Sequence, residues 1–288
     1  MHIDRMINQK PPFLSLEFFP PKEEKDWETF FGRVEKLRAL SPLFVSITCG
    51  AGGTSKTNTL EIASRLQNEM GLETMAHLTC LGGNKEDINH SLEQLRASEV
   101  NNVLALRGDP PKEGATSLTQ PDFTYAADLV SYIREHAPDM GIGVAGYPEA
   151  HPESSSIAVD RRHMKEKLDR GADFLVTQFV FDNRVYFEFI ERMRELGVTQ
   201  PIIPGVLPVL SLKSVRYILS LSGASVPGRF YLQLQEAHER GGVAEVRRLG
   251  IAFAREQVRG LLEGGAPGVH LYTLNQADPC LQIAEGIF

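Results

Sequence analysis

The stretch Phe13-Leu14-Ser15-Leu16-Glu17-Phe18-Phe19-Pro20-Pro21 is an apolar run that a pair of prolines ends. Its composition predicts a β-strand over Phe13–Phe19. Glu17 lies near the end of this strand, where apolar surroundings make a carboxylate costly and favour its protonated form. A carboxylic acid that stays protonated near neutral pH can act as a general acid. The alternative interpretation is a carboxylate that caps the next helix or pairs with an arginine.

Similar strand-like runs recur along the whole chain and alternate with amphipathic stretches. The predicted strands are Phe13–Phe19, Phe44–Cys49, Thr74–Cys80, Asn102–Arg107, Ile142–Tyr147, Asp173–Phe181, Pro201–Val209 and Val269–Leu274. About eight βα units in one chain of this length predict an α/β fold, a (β/α)8 TIM barrel. A doubly wound open sheet is the alternative fold, but no GxGxxG motif follows the first strand.

Helical periodicity and loop composition complete this picture. Apolar residues at helical spacing predict helices over Asp26–Leu40, Glu86–Ser98 and Arg162–Ala172. Ser225–Gly241 is interpreted as a helical insert before a last long helix, Val243–Glu263. We expect residues 1–288 to form one barrel domain with this insert near 225–241.

Composition excludes several classes of function. The 288 residues are 42% hydrophobic and 23% charged, which is ordinary for a globular protein, and the net charge of -7 argues against a nucleic-acid partner. The first residues lack the apolar core of a signal peptide, and no apolar run is long enough to span a bilayer. The three cysteines form no CxxC pair, so we expect a reducing cytoplasm and no zinc or other metal site.

Polar residues gather where the predicted strands end. In barrel enzymes the active site lies at the carboxyl ends of the strands. Singly, each residue has an ordinary explanation: His77 as a satisfied core histidine, Asp109 as a turn residue, and Lys165 and Lys167 as a solvated helix face. Their convergence on one rim favours a site. The residues concerned are Glu17, Thr48, His77, Thr79, Arg107, Asp109, Tyr147, Glu149, His151, Glu153, Thr177, Gln178, Tyr272 and Asn275.

Taken together, these motifs resemble methylenetetrahydrofolate reductase in its bacterial single-domain form. They occur in the family's order and cover nearly the whole chain. The matching segments are Glu17-Phe18-Phe19-Pro20-Pro21, Phe44-Val45-Ser46-Ile47-Thr48, His77-Leu78-Thr79-Cys80, Ala105-Leu106-Arg107-Gly108-Asp109, Tyr147-Pro148-Glu149-Ala150-His151-Pro152-Glu153, Thr177-Gln178-Phe179, Ile203-Pro204-Gly205-Val206-Leu207-Pro208-Val209 and Tyr272-Thr273-Leu274-Asn275.

The resemblance implies a flavin-dependent oxidoreductase that reduces 5,10-methylenetetrahydrofolate to 5-methyltetrahydrofolate, with electrons from NAD(P)H passed by ping-pong hydride transfer through FAD. Such a reaction belongs to one-carbon metabolism and methionine biosynthesis, and related barrels often form homo-oligomers. The resemblance also implies that residues 1–288 are a single catalytic domain without the regulatory domain of eukaryotic members. The resemblance makes Glu17 the acid of folate ring opening and Asp109 a catalytic carboxylate near flavin and pterin. It assigns Gln178 and Tyr272 to the folate. It assigns to FAD the residues Thr48, His77, Arg107, Gly108, Asp109, Tyr125, Ala126, Tyr147, His151, Asp160 and Lys167.

The chain departs from the family pattern at three positions. Ser214, Ile218 and Gln276 stand where well-studied bacterial members carry Gln, Phe and Arg, residues that contact the folate or the nicotinamide. Replacing the Arg at 276 removes a cation that could meet the benzoyl-glutamate tail of folate. Two other functions remain open on the sequence: a pterin-binding group transferase without redox chemistry, and a flavoprotein subunit reduced by a partner protein.

Overall fold

The eight predicted strands form a closed parallel barrel in the computed structural model, which describes residues 1–9, 12–49, 56–81, 83–108 and 122–288. Each strand pairs in parallel with the next, and β1 closes the barrel by pairing with β8. The strands are β1 (Phe13–Phe18), β2 (Phe44–Ile47), β3 (Thr74–Thr79), β4 (Asn102–Leu106), β5 (Gly141–Gly146), β6 (Phe174–Phe179), β7 (Ile202–Val206) and β8 (Gly268–Tyr272). The predicted (β/α)8 barrel is therefore confirmed.

Helices follow the strands and cover the outside of the barrel. They are α1 (Ile3–Ile7), α2 (Trp27–Arg38) after a short 3-10 turn, α3 (Lys56–Asn68), α4 (Lys85–Ala97), α5 (Ala126–His136), α6 (Ile157–Asp169), α7 (Asn183–Glu195), α8 (Leu212–Ser222), α9 (Gly228–Glu263) and α10 (Ala277–Ala284). Helix α1 precedes the barrel, and its buried Ile3 and Ile7 join the apolar cluster of Phe13, Phe44 and Phe174. No helix in the described part of the chain is both long and apolar enough to cross a membrane.

Alternation along β1 divides its side chains between two environments. Leu16 and Phe18 pack in the apolar cluster shared with the surrounding helices. Ser15 and Glu17, on the other face of the strand, contact His270 of β8 instead. Successive side chains of a strand point to opposite faces. Because Leu16 and Phe18 point outward, Glu17 points into the barrel.

The structure differs from the predictions mainly at the ends of elements. Helix α6 begins at Ile157, five residues before the predicted start, because the Ser156 side chain caps it by accepting a hydrogen bond from Val159 N (3.3 Å). All eight strands stop one to three residues before their predicted ends. Helix α9 leaves helical geometry at Gly241 and Gly242, where the sequence separates the insert from the last long helix.

Candidate active site

Glu17 lies at the carboxyl end of β1, and its buried side chain faces two imidazole rings. Its Oε2 atom is 3.4 Å from Nε2 of His77 on β3 and 3.5 Å from Nε2 of His270 on β8. The side chain is only 7% exposed. No lysine or arginine forms an ion pair with Glu17 among the described residues, so the predicted alternative of a paired carboxylate finds no support there.

His77 adds no positive charge beside Glu17. Burial lowers the pKa of His77 to about 4; Glu17 opposes this shift, and His270 adds to it. The imidazole is therefore neutral near pH 7. Its buried Nε2 atom makes no hydrogen bond within the described structure, despite its closeness to Glu17. A buried polar atom without a partner marks a place where a ligand atom could pair.

Tyr272 forms the wall of the site next to Glu17. Its hydroxyl donates to the carbonyl oxygen of Thr177 (3.0 Å), and the following residue, Thr273, donates from Oγ1 to the Glu17 carbonyl (2.6 Å). Burial raises the pKa of the Tyr272 hydroxyl well above its usual range, and the charges of Glu17 and Tyr147 add to that rise. Strands β1, β6 and β8 are thus fixed to one another around the carboxyl group.

A bulge in β6 presents the residues that face Tyr272. Val176 pairs with Ile203 and Phe179 with Gly205, so β6 carries one extra residue in this interval. Pro204, which has no N–H, lies opposite the bulge, and Gly205 N donates to the Thr177 hydroxyl instead (2.9 Å). The sequence Ile203-Pro204-Gly205 therefore helps to set the direction of Thr177 and Gln178.

Gln178 and Tyr147 line one small cavity at the rim. The cavity lies between the β5 and β6 loops and is closed by Ser222, the last residue of α8, and by Ala224, which follows that helix. Ser225 hydrogen-bonds the Glu149 carboxylate through its backbone N–H (3.0 Å) and its hydroxyl. The segment before α9 is thereby joined to the loop that carries Tyr147.

A half-buried lysine defines a second cluster beside β5. Lys167 Nζ donates to the carbonyl oxygen of Ala145 (2.5 Å) and forms no ion pair among the described residues. Burial lowers the pKa of this amine to about 8, and the nearby Asp160 carboxylate opposes the shift. Asp160 also accepts a hydrogen bond from His151 N (2.9 Å), and the His151 ring packs edge-on against Tyr147 at 4.7 Å. Tyr147 therefore belongs to both clusters.

The remaining predicted cofactor residues lie around the Lys167 cluster or next to the site around Glu17. Arg107 Nη1 pairs with Glu153 Oε2 at 2.7 Å. Gly108 has φ +87°, and a Cβ there would lie 3.1 Å from Cβ of Thr79, so glycine fits this turn. Ala126 begins α5 just after Tyr125. The exposed Tyr125 ring stacks on His163 of α6 (centroids 6.1 Å, planes at 17°).

Thr48 lies on the opposite side of the rim, after β2. Its backbone N–H donates to the Phe18 carbonyl (3.0 Å), and its carbonyl oxygen accepts from the Thr59 hydroxyl of α3 (3.1 Å). Thr48 is therefore closer to the Glu17 end of the site than to Lys167. Asp109, the second predicted catalytic carboxylate, lies outside the described residues.

The structure places a cation beside Gln276 that the sequence analysis did not find. Arg247 of α9 donates from Nη1 to Gln276 Oε1 at 2.7 Å. Gln276 follows the Tyr272–Asn275 segment directly and caps α10. A residue 29 positions earlier in the chain therefore supplies a guanidinium next to position 276, where the sequence itself carries no arginine.

Sequence reasoning also missed four other residues of the site. Three of them, Ser15, Ser46 and His270, form a buried polar layer just below Glu17, and His163 stacks on Tyr125. His270 could have been found from alternation, because it precedes Tyr272 by two positions on the same face of β8.

Comparison with known proteins identifies the family. Residues 2–287 match the family model described as methylenetetrahydrofolate reductase. Over 285 aligned residues the chain is 40% identical to "Methylenetetrahydrofolate reductase (NADH) 1" of Arabidopsis thaliana. The alignment covers 95% of this chain and 48% of the plant protein. It is 35% identical to the "5,10-methylenetetrahydrofolate reductase" of Pectobacterium carotovorum, with 92% of this chain and 86% of that protein covered. The chain thus spans about half the length of the plant relative.

A solved structure shares the fold. It is an uncharacterised protein from Clostridium thermocellum that binds two copies of 5-methyl-5,6,7,8-tetrahydrofolic acid. The TM-score is 0.66 at 14% identity, with 99% of this chain and 97% of that chain covered. At this identity the likeness concerns the barrel architecture alone.

Proposed function

The chain belongs to the methylenetetrahydrofolate reductase family, and on that premise we propose that it reduces 5,10-methylenetetrahydrofolate to 5-methyltetrahydrofolate with electrons from NAD(P)H. The observation that carries this proposal is the buried carboxyl group of Glu17 at the carboxyl end of the barrel strands. It faces two imidazole rings, and no lysine or arginine of the described residues pairs with it. That environment suits an acid that gives up a proton inside a closed site.

Glu17 performs the proton step of this reaction. The five-membered ring of the substrate opens to an iminium cation when the departing nitrogen receives a proton, and Glu17 donates it. Both imidazole contacts fall on Oε2. Tyr272 and Gln178 flank the folate, and the bulge at Thr177 fixes the wall against which it packs. Asp109 is the carboxylate proposed to stabilise the cation.

The second cluster fits FAD. The half-buried Lys167 ammonium group has no carboxylate partner at ion-pair distance in the described structure, which suits a diphosphate, and the unpaired Nε2 of His77 offers a further polar contact. When bound, FAD supplies the hydride. The residues that would hold it are Thr48, His77, Arg107, Gly108, Asp109, Tyr125, Ala126, Tyr147, His151, Asp160 and Lys167, to which we add His163.

Product analysis tests the proposed reaction. Purified protein is incubated anaerobically with FAD, NADH or NADPH, and 5,10-methylenetetrahydrofolate, and 5-methyltetrahydrofolate is measured by mass spectrometry. Stoichiometric product with either nucleotide supports a self-sufficient reductase. Product only when a chemical reductant replaces the nucleotide supports a flavoprotein reduced by a partner protein. No product under any of these conditions contradicts the proposal and favours the group transferase.

Replacing Lys167 with methionine is expected to weaken FAD binding about 10- to 100-fold at pH 7, the loss of one charge-assisted hydrogen bond. Because the amine has a pKa of about 8, the affinity of the unsubstituted protein should also fall as pH rises through about 8. The variant should show no such fall. Fluorescence titration of FAD with apoprotein at several pH values measures both.

The stability of the apoprotein should rise with pH, whereas the affinity for FAD falls. Between the depressed pKa of Lys167 and the ordinary lysine value of 10.5, the unfolded chain binds more protons, so this residue makes stability rise with pH across that interval. Lys165→Met is the matched control, since Lys165 is on the same helix and pairs with Asp169 at the surface. Equal FAD affinities for the two variants would remove Lys167 from the cofactor site.

Arg247 is proposed to meet the anionic tail of the folate in place of an arginine at position 276. We expect Arg247→Gln to raise the KM for the folate about 10-fold with little change in kcat, because a contact far from the reacting atoms stabilises bound substrate and transition state equally. Arg248→Gln is the control, as Arg248 is exposed and pairs with Glu245 at 3.0 Å. An unchanged KM for Arg247→Gln would place the tail elsewhere.

A further inference from the structure

His270 lies in a closed polar layer directly beneath Glu17. The residue is 0% exposed, and its ring stacks on Phe44 of the apolar cluster that contains Ile3 and Ile7. The ring centroids are 5.9 Å apart and the planes meet at 20°. Ser15, its partner in the β1–β8 register, places Oγ 2.8 Å from Nδ1. On the other side of the ring, Nε2 lies 3.5 Å from Glu17 Oε2 and 3.4 Å from Ser46 Oγ. The imidazole therefore connects Ser15 with the proposed acid.

The contacts of Ser15 determine which ring nitrogen carries the proton. The Ser15 hydroxyl also reaches the carbonyl oxygen of Val269 at 3.3 Å, and a carbonyl can only accept. A hydroxyl has a single proton, so both contacts form together only when Ser15 donates to Val269 and accepts from His270 Nδ1–H. In that arrangement a neutral His270 ring carries its lone pair on Nε2, because its one N–H proton is on Nδ1.

A lone pair at Nε2 changes what Glu17 can do. It repels a carboxylate oxygen but accepts a hydrogen bond from the O–H of a protonated carboxyl group. This contact, at 3.5 Å, falls on Oε2, so a protonated carboxyl group would be oriented from the side of His270. Among the described residues no hydrogen-bond or ion-pair contact is found for Oε1, which leaves that side of the group for the substrate.

We propose that His270, with its tautomer set by Ser15, is a positioning residue that holds Glu17 in its proton-donating form and orientation. This inference rests on the proposed function for its catalytic consequence, whereas the tautomer itself is independent of any substrate. His270 does not touch the folate in this account; it acts through Glu17.

Two substitutions separate positioning from packing. An asparagine at 270 can place its amide near Nδ1 and keep the Ser15 contact, but it does not reach Glu17. A glutamine can place its amide near Nε2 and present an oxygen to Glu17. We expect His270→Asn to slow flavin reoxidation by 5,10-methylenetetrahydrofolate ~10- to 100-fold, part of what a general acid contributes, and His270→Gln to slow it less than about 5-fold. Flavin reduction by NADH should be unchanged in both.

The outcomes are distinct. A parallel loss in both variants and both half-reactions, accompanied by a lower Tm, means that His270 only fills the barrel, and the proposal fails. Nitrogen-15 spectra of protein labelled in its histidines provide a readout that needs neither folate nor a variant that functions. The signal lost in His270→Gln should show a protonated Nδ1 and a bare Nε2. A protonated Nε2 would overturn the proposal even if the protein proves to be a reductase.

Discussion

Replacing Glu17 with glutamine is expected to slow the reduction of 5,10-methylenetetrahydrofolate by a factor of ~10² to 10⁴, the range that removal of a general acid produces. Glutamine has nearly the same size, so the packing against Tyr272 and Thr273 should persist, but it has no acidic proton to give. Flavin binding and flavin reduction by NADH involve no ring opening, so both should stay within a few-fold of their original values. Stopped-flow spectroscopy of the two half-reactions measures the difference.

Two further variants make this result specific. Glu149→Gln carries the same chemical change at another rim residue, which bonds Ser225 rather than an imidazole, and should leave the folate half-reaction nearly unchanged. Glu17→Asp keeps an acid but withdraws it by one methylene, so an intermediate rate is expected. Comparable losses in both half-reactions of Glu17→Gln would mean that Glu17 supports the structure of the site and does not donate the proton.

Replacing Gly205 with alanine is expected to affect stability and folate chemistry together. A Cβ at this position would lie 2.5 Å from the Thr177 carbonyl oxygen and 2.7 Å from Cε2 of Tyr272. Both neighbours belong to the folate wall, and one is backbone, so β6 and the Tyr272 ring must move apart. Overpacking of this kind costs ~1–3 kcal/mol of unfolding free energy. Misplacing the wall should also slow the folate half-reaction ~10- to 100-fold.

Gly32 in α2 provides the control for this change. A Cβ at Gly32 meets no atom within 4 Å, and alanine is favoured over glycine inside a helix by about 1 kcal/mol. Gly32→Ala should therefore be neutral or stabilising, with both half-reactions intact. Thermal unfolding measures the Tm of Gly205→Ala and Gly32→Ala, and stopped-flow spectroscopy measures the rates of their two half-reactions. A Gly205→Ala protein that keeps its Tm and its folate rate would show that the β6–β7 contact is looser than the structure indicates.

Most of the barrel could be predicted from local patterns in the sequence. All eight strands were predictable, because buried parallel strands are continuous apolar runs bounded by turn residues. Boundaries were less predictable, since they depend on single hydrogen bonds. The serine cap that starts α6 at Ile157 is one such bond. The bulge opposite Pro204 is another feature that emerges only when β6 and β7 are paired.

Some of the contacts in the candidate site were predictable, because they join residues at the ends of the strands. Glu17, His77 and Tyr272 do meet, as do His151, Asp160 and Lys167. What escaped prediction depends on contacts between residues distant in the chain. The Arg247–Gln276 pair joins a helix to a loop, and the Ser15–His270 pair joins the first strand to the last. No local pattern gives either contact.

The most direct measurement for the central claim is the visible spectrum of the anaerobic holoprotein as it is cycled between its two substrates. We predict an oxidised flavin spectrum that bleaches when NADH is added and recovers when 5,10-methylenetetrahydrofolate follows, with recovery nearly abolished in Glu17→Gln. A flavin that bleaches but recovers equally fast in Glu17→Gln would contradict the role of Glu17 as the acid. A flavin that never recovers with the folate would contradict the proposed reaction itself.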